Sequence, residues 1–172
     1  NVPEHLRSWL LDEQPGLLLN HQYRKGGHKG SDLQRYAYAS AFALINGKSP
    51  RGSDDFPVGL HPDHANWESG DFKDRFKVQC ANEPSLTITS HLSKDGHYFI
   101  HPDPRQMRSL SVREAARLQT FPDNYFFEGT PNQQFHQVGN AVPPWLARQI
   151  AEVVYAYLSP RSKSRRKAAR TG

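Results

Sequence analysis

The sequence has little of what disulfide-stabilised, membrane or self-contained catalytic proteins need. Its 172 residues include a single cysteine, which excludes an internal disulfide framework and is typical of a reducing compartment. No apolar run approaches the roughly 18 residues that cross a bilayer, so we expect no membrane partner. Since the chain also lacks an opening Met and a signal peptide, we expect a processed product or an excised piece.

The motifs of a complete catalytic site are missing as well. There is no P-loop, no GxGxxG, no HExxH and no CxxC. Cys80 lies in a strand-like alternation and is interpreted as a small core residue rather than a nucleophile. His61 and His64 have no second cluster with ligand spacing, so the sequence predicts no metal site.

What is present includes an unevenly distributed positive charge. The net charge of +5 comes from the end of the chain, where residues 160–172 hold six basic residues and no acid. The rest of the chain contains 16 basic and 17 acidic residues, so any nucleic-acid surface in the folded body must be local. Residues 159–172 are interpreted as a disordered basic tail, either solubilising or weakly attracted to phosphate.

Helices and strands are predicted from periodicity and turn signals. We expect a weak helix at 3–12 and a second one from a Ser31-Asp32 cap to Asn46-Gly47. The apolar stripe of the second helix should be Leu33, Tyr36, Ala37, Ser40, Ala41 and Leu44, widened by Phe42 and Ile45. A long connection follows at 48–67. Residues 71–100 should be β structure, with a hairpin that pairs 87–90 with 97–100.

The stretch 108–158 carries the clearest local signals. Ser111 and Glu114 form a Ser-x-x-Glu capping box, which should open a short helix that stops near 121–123. Further on, Gly139 is interpreted as a tight turn that leads into a helix of about fifteen residues started by Pro143-Pro144. The stripe Leu146, Ile150, Val153, Val154 and Tyr157 needs an apolar surface, either the preceding region or another copy of the chain.

Three short motifs in this order resemble those of the DNA cytosine-C5 methyltransferases. Residues 108–123 (RSLSVREAARLQTFPD) resemble motif IX of that family, and 137–144 (QVGNAVPP) are similar to motif X. Residues 84–91 (PSLTITSH) are similar to the Thr-Ile or Thr-Leu element near the end of the family's target recognition domain. The family's Pro-Cys nucleophile, Glu-Asn-Val, Gln-x-Arg-x-Arg and Phe-x-Gly-x-Gly motifs do not occur in this sequence.

The resemblance implies an α+β fold in which a small, irregular, β-rich recognition domain with short helices precedes a carboxyl-terminal helix. In the family that helix returns to a Rossmann-like methyltransferase domain. We therefore expect a target recognition region at 1–123 that ends in motif IX. A motif X segment and terminal helix should follow at 124–158, and then the basic tail.

The resemblance also implies site residues. Asn140 and Ala141 match the motif X positions that line the S-adenosylmethionine pocket, although Asn140 can equally stabilise its own turn. Thr87 and Thr89 should lie near the DNA, unless they are only β-forming residues. Arg24 and Lys25, in a glycine-rich basic loop, should contact phosphate, unless the loop is simply exposed. The structural motif residues are Arg108, Ser111, Glu114, Arg117 and Gly139, and we expect Arg113 and Arg117 in ion pairs or on carbonyl groups rather than on phosphate.

The expected function is the carboxyl-terminal, DNA-recognising piece of a bacterial-type, cytoplasmic restriction-modification enzyme that methylates C5 of a flipped cytosine in duplex DNA. With no catalytic residue of its own, the chain alone should be inactive and should not bind S-adenosylmethionine. Its partners would be duplex DNA, the amino-terminal catalytic domain or a second copy joined through the terminal helix. The alternatives are a stand-alone DNA-binding or regulatory module and one subunit of a split methyltransferase.

Overall fold

The computed structural model describes residues 4–10, 18–21, 28–64, 66–67, 69, 74–94 and 96–159. In these ranges the regular structure is helical. The helices are α1 (Glu4–Leu10), α2 (Gly30–Asn46), α3 (Gly52–Asp55), α4 (Val112–Leu118), α5 (Pro131–Asn140) and α6 (Pro144–Leu158), with 3₁₀ helices at Val58–Leu60 and Ser90–Ser93. The predicted basic tail lies almost wholly outside the described residues.

The end of α2 is as predicted, but its start is not. Gly47 closes the helix in the left-handed conformation, with φ of 69°, and donates its N–H to the carbonyl of Ala43. The predicted cap at Ser31-Asp32 is wrong, because the helix already begins at Gly30 and Lys29 precedes it. Asp32 instead accepts a hydrogen bond of 2.8 Å from Arg35 within the first turn.

The buried face of α2 is rotated from the predicted stripe. Tyr36 and Ser40 are buried as expected, but Leu44 and Ile45 are 74% and 83% exposed. Arg35 takes their place on the inner side, because its guanidinium donates to the carbonyl oxygens of Leu60 (2.7 Å) and His61 (3.0 Å). A count of apolar residues cannot anticipate this rotation, since it depends on a buried arginine that meets backbone acceptors.

The predicted hairpin between 87–90 and 97–100 is wrong, and no strand forms in the described part of the chain. Residues 97–100 instead lie between 77–79 and 108–110, joined by isolated bridges of Ile100 to Val78 and to Ser109. Each contact is one or two residues long, too short for a regular ladder. The described residues therefore support a helix-rich, irregular fold and not the β-rich domain that the resemblance implied.

Two hydrophobic cores lie on either side of the 97–100 segment. The α2 core gathers Tyr36, Ala39, Ala43, Phe56, Trp67, Phe76, Val78 and Ile100. The α4 core gathers Ile88, Leu92, Phe99, Leu110, Val112, Ala115, Ala116, Phe121, Phe127, Phe135 and Val138. Phe99 and Ile100 are neighbours in the chain but enter different cores.

Helix α6 has the predicted start and length, but not the predicted cover from the preceding region. None of its residues is buried, and Ile150, Val153 and Tyr157 are 53%, 71% and 88% exposed. Its contacts with the preceding region are near its start: the Trp145 N–H donates to Thr120 Oγ1 at 3.0 Å, the Trp145 ring meets Trp9 edge-on at 5.5 Å, and the Arg148 guanidinium lies 5.5 Å from the centre of the Trp9 ring. Over the described ranges, no helix is long and apolar enough to cross a membrane.

Candidate functional site

The capping box predicted at the start of α4 is confirmed. Ser111 Oγ accepts from the Glu114 N–H at 3.2 Å, and Glu114 Oε2 accepts from the Ser111 N–H at 2.7 Å. The Ser111 hydroxyl also lies 3.0 Å from Nδ1 of His21, near the other end of the chain. Ser111 is buried, so the capping box joins α4 to the segment at 18–21 as well as beginning the helix.

Glu114 is the electrostatic centre of this helix start. Arg108 donates hydrogen bonds to both of its carboxylate oxygens, at 2.7 and 2.8 Å. Burial alone would raise the pKa of Glu114, but the hydrogen bonds from Arg108 and Ser111 outweigh it and lower the pKa to about 2. Burial, and then the charge of Arg108, lower the pKa of His101, whose Nε2 lies 3.6 Å from Glu114.

Arg113 is completely buried, and its guanidinium donates hydrogen bonds to backbone carbonyl groups. It donates to the carbonyl oxygens of Leu19 (2.8 Å), Pro122 (2.9 Å) and Tyr125. Burial lowers its pKa, as expected when a cation leaves water. These three carbonyls lie before and after α4, so Arg113 holds the two flanking segments around the helix.

Arg117 is also occupied within the chain. Its guanidinium donates to both carboxylate oxygens of Asp123, at 2.8 and 2.7 Å, in a two-pronged ion pair. Asp123 is buried, while the Arg117 side chain is 40% exposed. Arg113 and Arg117 thus lie on carbonyl groups and in an ion pair, as predicted.

Asn20 is a joining residue that the sequence analysis missed. Its side-chain amide donates to the Phe127 carbonyl and accepts from the Phe127 N–H, both at 2.9 Å. Its own carbonyl accepts from the Arg113 N–H at 3.2 Å. Asn20 has a positive φ of 56°, which asparagine tolerates better than most residues, but no local motif marks this position.

The segment with Thr87 and Thr89 meets the end of α5 at a contact held together by Gln119. The Gln119 side-chain amide donates to the carbonyl oxygens of Ile88 (3.1 Å) and Val138 (3.2 Å). We call this contact of 88–90 with 138–140, together with Gln119, the Gln119 seam. Helical spacing points to Gln119, because Val112, Ala115, Ala116 and Gln119 share one face and a polar residue on a buried face must find partners.

Gly139 makes the seam close, but not by the turn that the sequence predicted. It lies in the last turn of α5 and has no left-handed backbone conformation. A Cβ atom at this position would lie 2.2 Å from the Ser90 nitrogen and 2.3 Å from the Thr89 carbonyl carbon. The glycine is therefore required by the approach of two backbones.

The predicted DNA-facing and cofactor-facing residues thus occur on adjoining segments. Thr87 and Thr89 are exposed on either side of the buried Ile88. Asn140 is exposed at the end of α5, and its side chain makes no hydrogen bond to any described residue. Ala141 follows in an extended conformation and packs against the α4 core.

Other predicted positions fall elsewhere. Arg24 and Lys25 lie outside the described residues. Cys80 is half-buried beside the α2 core, and His61 Nε2 lies 2.9 Å from the Phe56 carbonyl oxygen. Within the described ranges, no three His, Cys, Asp or Glu side chains are grouped as a metal ion would require.

Comparison with known proteins gives a consistent family. The chain is 59% identical over 83 residues to the type II methyltransferase M.Bpa9945I of Bacillus paralicheniformis, which covers 48% of the chain and 19% of that protein. It is 60% identical over 75 residues to M.AplI of Arthrospira platensis, covering 41% and 21%. The longest of these three matches is to M1.HphI of Haemophilus parahaemolyticus, at 36% identity over 138 residues, covering 80% and 31%.

The matched stretches therefore span between about a fifth and a third of these relatives. The model of the C-5 cytosine-specific DNA methylase family matches residues 17–156, which is most of the chain and includes α2 to α5, the Gln119 seam and nearly all of α6. The chain belongs to the C-5 cytosine-specific DNA methylase family.

Proposed function

We propose that this chain is the carboxyl-terminal, DNA-recognising part of an S-adenosylmethionine-dependent DNA (cytosine-5)-methyltransferase of the type II restriction-modification kind. The complete enzyme would methylate C5 of a cytosine flipped out of duplex DNA. The observation that carries the proposal is the Gln119 seam, which places Thr87 and Thr89 beside the α5 end that bears Asn140.

The exposed threonines suit a DNA-reading face. Residues 84–89 join no strand, so a role as β-forming residues does not account for Thr87 and Thr89. Ile88 is 3% exposed and anchors the segment in the α4 core, which directs the flanking side chains outward. A threonine hydroxyl both donates and accepts, so it can contact base edges or phosphate.

Phosphate contacts would supply the sequence-independent part of the affinity. We assign them to Arg24 and Lys25, in the basic glycine-rich stretch that leads to α2. Flipping a base costs a few kcal/mol, which the contacts of a recognition region must offset. We do not assign phosphate contacts to Arg113 and Arg117, because both already donate hydrogen bonds within the chain.

The turn after α5 fits one wall of a cofactor pocket. Asn140 is exposed, and its side-chain amide can both donate and accept a hydrogen bond. We propose that these two residues face S-adenosylmethionine, which supplies the methyl group when bound. Since they form only one wall, we expect no measurable cofactor binding by this chain alone.

The catalytic nucleophile would come from an amino-terminal catalytic domain that follows the same family pattern. We propose that this domain covers the exposed apolar face of α6, with a second copy of the chain as the competing cover. Residues 1–123 would then be the recognition region and 124–158 the returning segment. The α4 core draws side chains from both sides of position 123 and holds the two parts together.

A gel-shift titration of the chain with duplex DNA at two salt concentrations tests the recognition role. We expect weak, salt-sensitive binding and no methyl transfer by the chain alone, because counterion release dominates non-specific association. The double variant Thr87→Ala/Thr89→Ala should weaken binding, whereas Thr130→Ala, in the exposed capping box of α5, should not. Tight, salt-insensitive binding would instead indicate a stand-alone DNA-binding module.

A further inference from the structure

Gln119 is one of few polar side chains buried in the α4 core, and it contacts two segments at once. The side chain is 7% exposed and lies one residue past the end of α4. Its amide nitrogen donates one hydrogen bond to the 88–90 segment and one to the end of α5. A single NH₂ group therefore uses both of its donors on backbone carbonyls that are 50 residues apart in sequence.

The two carbonyl groups differ in the hydrogen bonds that they accept. The Val138 oxygen also accepts a longer bond of 3.3 Å from the Ala141 N–H. For the Ile88 oxygen, Gln119 supplies the hydrogen bond of 3.1 Å that lies inside the core. Loss of the amide would leave this carbonyl buried beside apolar side chains, which is far less favourable than its exposure to water.

The seam has a second, independent support in Gly139. The backbones of 89–90 and 139 approach so closely that even a methyl group has no room between them. The hydrogen bonds of Gln119 thus hold the two segments together at one point, and the close backbone contact at Gly139 holds them together at a second point. Two such contacts fix a relative position that one contact would leave free to pivot.

We propose that Gln119 is a positioning residue that holds the 84–90 segment and the turn at 140–142 as one rigid unit. On the proposed function of Thr87, Thr89, Asn140 and Ala141, on which this inference rests, the DNA-reading side chains and the cofactor wall then move together. A base delivered by the reading segment would reach the cofactor wall at a fixed distance. Gln119 itself touches neither ligand.

Amide hydrogen exchange on the 172-residue chain tests this without DNA or cofactor. Gln119→Met keeps the length and volume of the side chain but removes both donors. The N–H groups of Leu92 and Ala141, which bond to Thr89 and Val138, report on the seam. The N–H groups of Gln79 and Ile100, which bond to the carbonyls of Ile100 and Lys77 across the short bridge between Val78 and Ile100, report on the rest of the fold.

We expect exchange at Leu92 and Ala141 to become roughly tenfold faster or more, with a much smaller change at Gln79 and Ile100. Gln134→Met is the matched control, because Gln134 donates a single 2.9 Å bond to Gly129 at the exposed start of α5. Equal acceleration at all four amides would make Gln119 a general stabiliser and overturn the proposal.

A second variant keeps the test decisive if Gln119→Met unfolds. Gln119→Glu has nearly the same shape, but at neutral pH its carboxylate faces two carbonyl oxygens and has no donor. In acid the carboxyl group gains one O–H donor and can restore one of the two bonds. Seam protection relative to Gln79 and Ile100 should therefore recover as the pH falls. A ratio that stays constant with pH would contradict the bridging role, whether or not the chain binds DNA.

Discussion

Helices α4 and α6 both belong to the stretch that carries the family motifs, yet they have opposite surroundings. Four of the seven residues of α4 are buried, and polar groups at both of its ends are hydrogen-bonded. None of the fifteen residues of α6 is buried. The difference indicates that the described residues surround α4, whereas they leave the apolar face of α6 exposed.

The largest effect on stability is expected when Arg113, the buried cation of α4, is replaced. Arg113→Met removes three donors and leaves the carbonyls of Leu19, Pro122 and Tyr125 to be satisfied in an apolar interior. Each buried acceptor left without a partner costs about 1–3 kcal/mol, so the free energy of unfolding should fall by roughly 3 kcal/mol or more. Denaturant unfolding followed by circular dichroism measures the change.

The matched substitution in α6 is Arg148→Met. Arg148 is about half exposed, pairs with Glu152 at 2.9 Å and lies over the rings of Trp9 and Trp145. We expect about 1 kcal/mol of destabilisation, since exposed ion pairs and exposed cation–π contacts contribute little. Similar losses from the two arginines would show that α4 and α6 are not differently embedded.

A smaller loss of stability is expected when a side chain is added at Gly139, because the Gln119 seam leaves no room for it. Gly139→Ala would place a Cβ atom against the backbone of Thr89 and Ser90, and backbone cannot rotate away as a side chain can. We expect destabilisation of about 1–3 kcal/mol. Gly30→Ala is the control, because Gly30 is also helical and a Cβ there meets nothing within 4 Å.

The control should be neutral or slightly stabilising, since alanine is a better helix former than glycine. Differential scanning calorimetry of the two variants gives the comparison. A tolerated Gly139→Ala would mean that the two segments can separate, and the seam would not be rigid.

The capping carboxylate of α4 predicts a pH dependence. The pKa of Glu114 is about 2 in the folded chain, against about 4.5 for an ordinary glutamate. A lowered carboxyl pKa adds stability that is present above pH 4.5 and is lost as the pH falls through 2. The contribution is on the order of 2–3 kcal/mol, because the side chain is only 22% exposed.

Glu114→Gln should therefore be less stable than the unmodified chain at pH 6, and the difference should shrink between pH 4.5 and 2. Glu152→Gln in α6 removes an exposed carboxylate and should leave the pH dependence unchanged. Urea unfolding at several pH values measures both. A constant difference for Glu114→Gln across this range would contradict the assignment.

The smallest effect is expected on the apolar face of α6. Val153→Ser should change the free energy of unfolding by less than about 0.5 kcal/mol, because Val153 is 71% exposed. Val112→Ser, at a fully buried position in α4, should cost several times more. A strong effect of Val153→Ser, together with a dimer in light scattering, would show that a second copy covers α6.

Sequence reasoning succeeded where a local pattern has one physical solution. The Ser111 and Glu114 capping box, the glycine stop at Gly47 and the length of α6 follow from neighbouring residues alone. It failed at long range. The 97–100 segment found partners at 77–79 and 108–110 rather than at 87–90, because pairing depends on which segments the cores bring together.

In the candidate site, too, local motifs identified residues, but the long-range contacts between them could not be predicted. Motif resemblance picked out Thr87, Thr89, Asn140 and Ala141, but it could not place them on adjoining segments. The residues that do so are Gln119 and Gly139, and their contacts join positions up to 50 residues apart. Asn20 was missed because its partner Phe127 is 107 residues away and no short motif records such a pairing.

The central claim is tested most directly by the methylation product of a chimera. The 138 residues of this chain that match M1.HphI would replace the matched stretch of that protein and leave the rest of it in place. Bisulfite sequencing of duplex DNA then reads the methylated cytosines. We predict methylation in a sequence context set by this chain and altered by Thr87→Ala/Thr89→Ala. Methylation in the relative's own context, unchanged by those substitutions, would contradict the account.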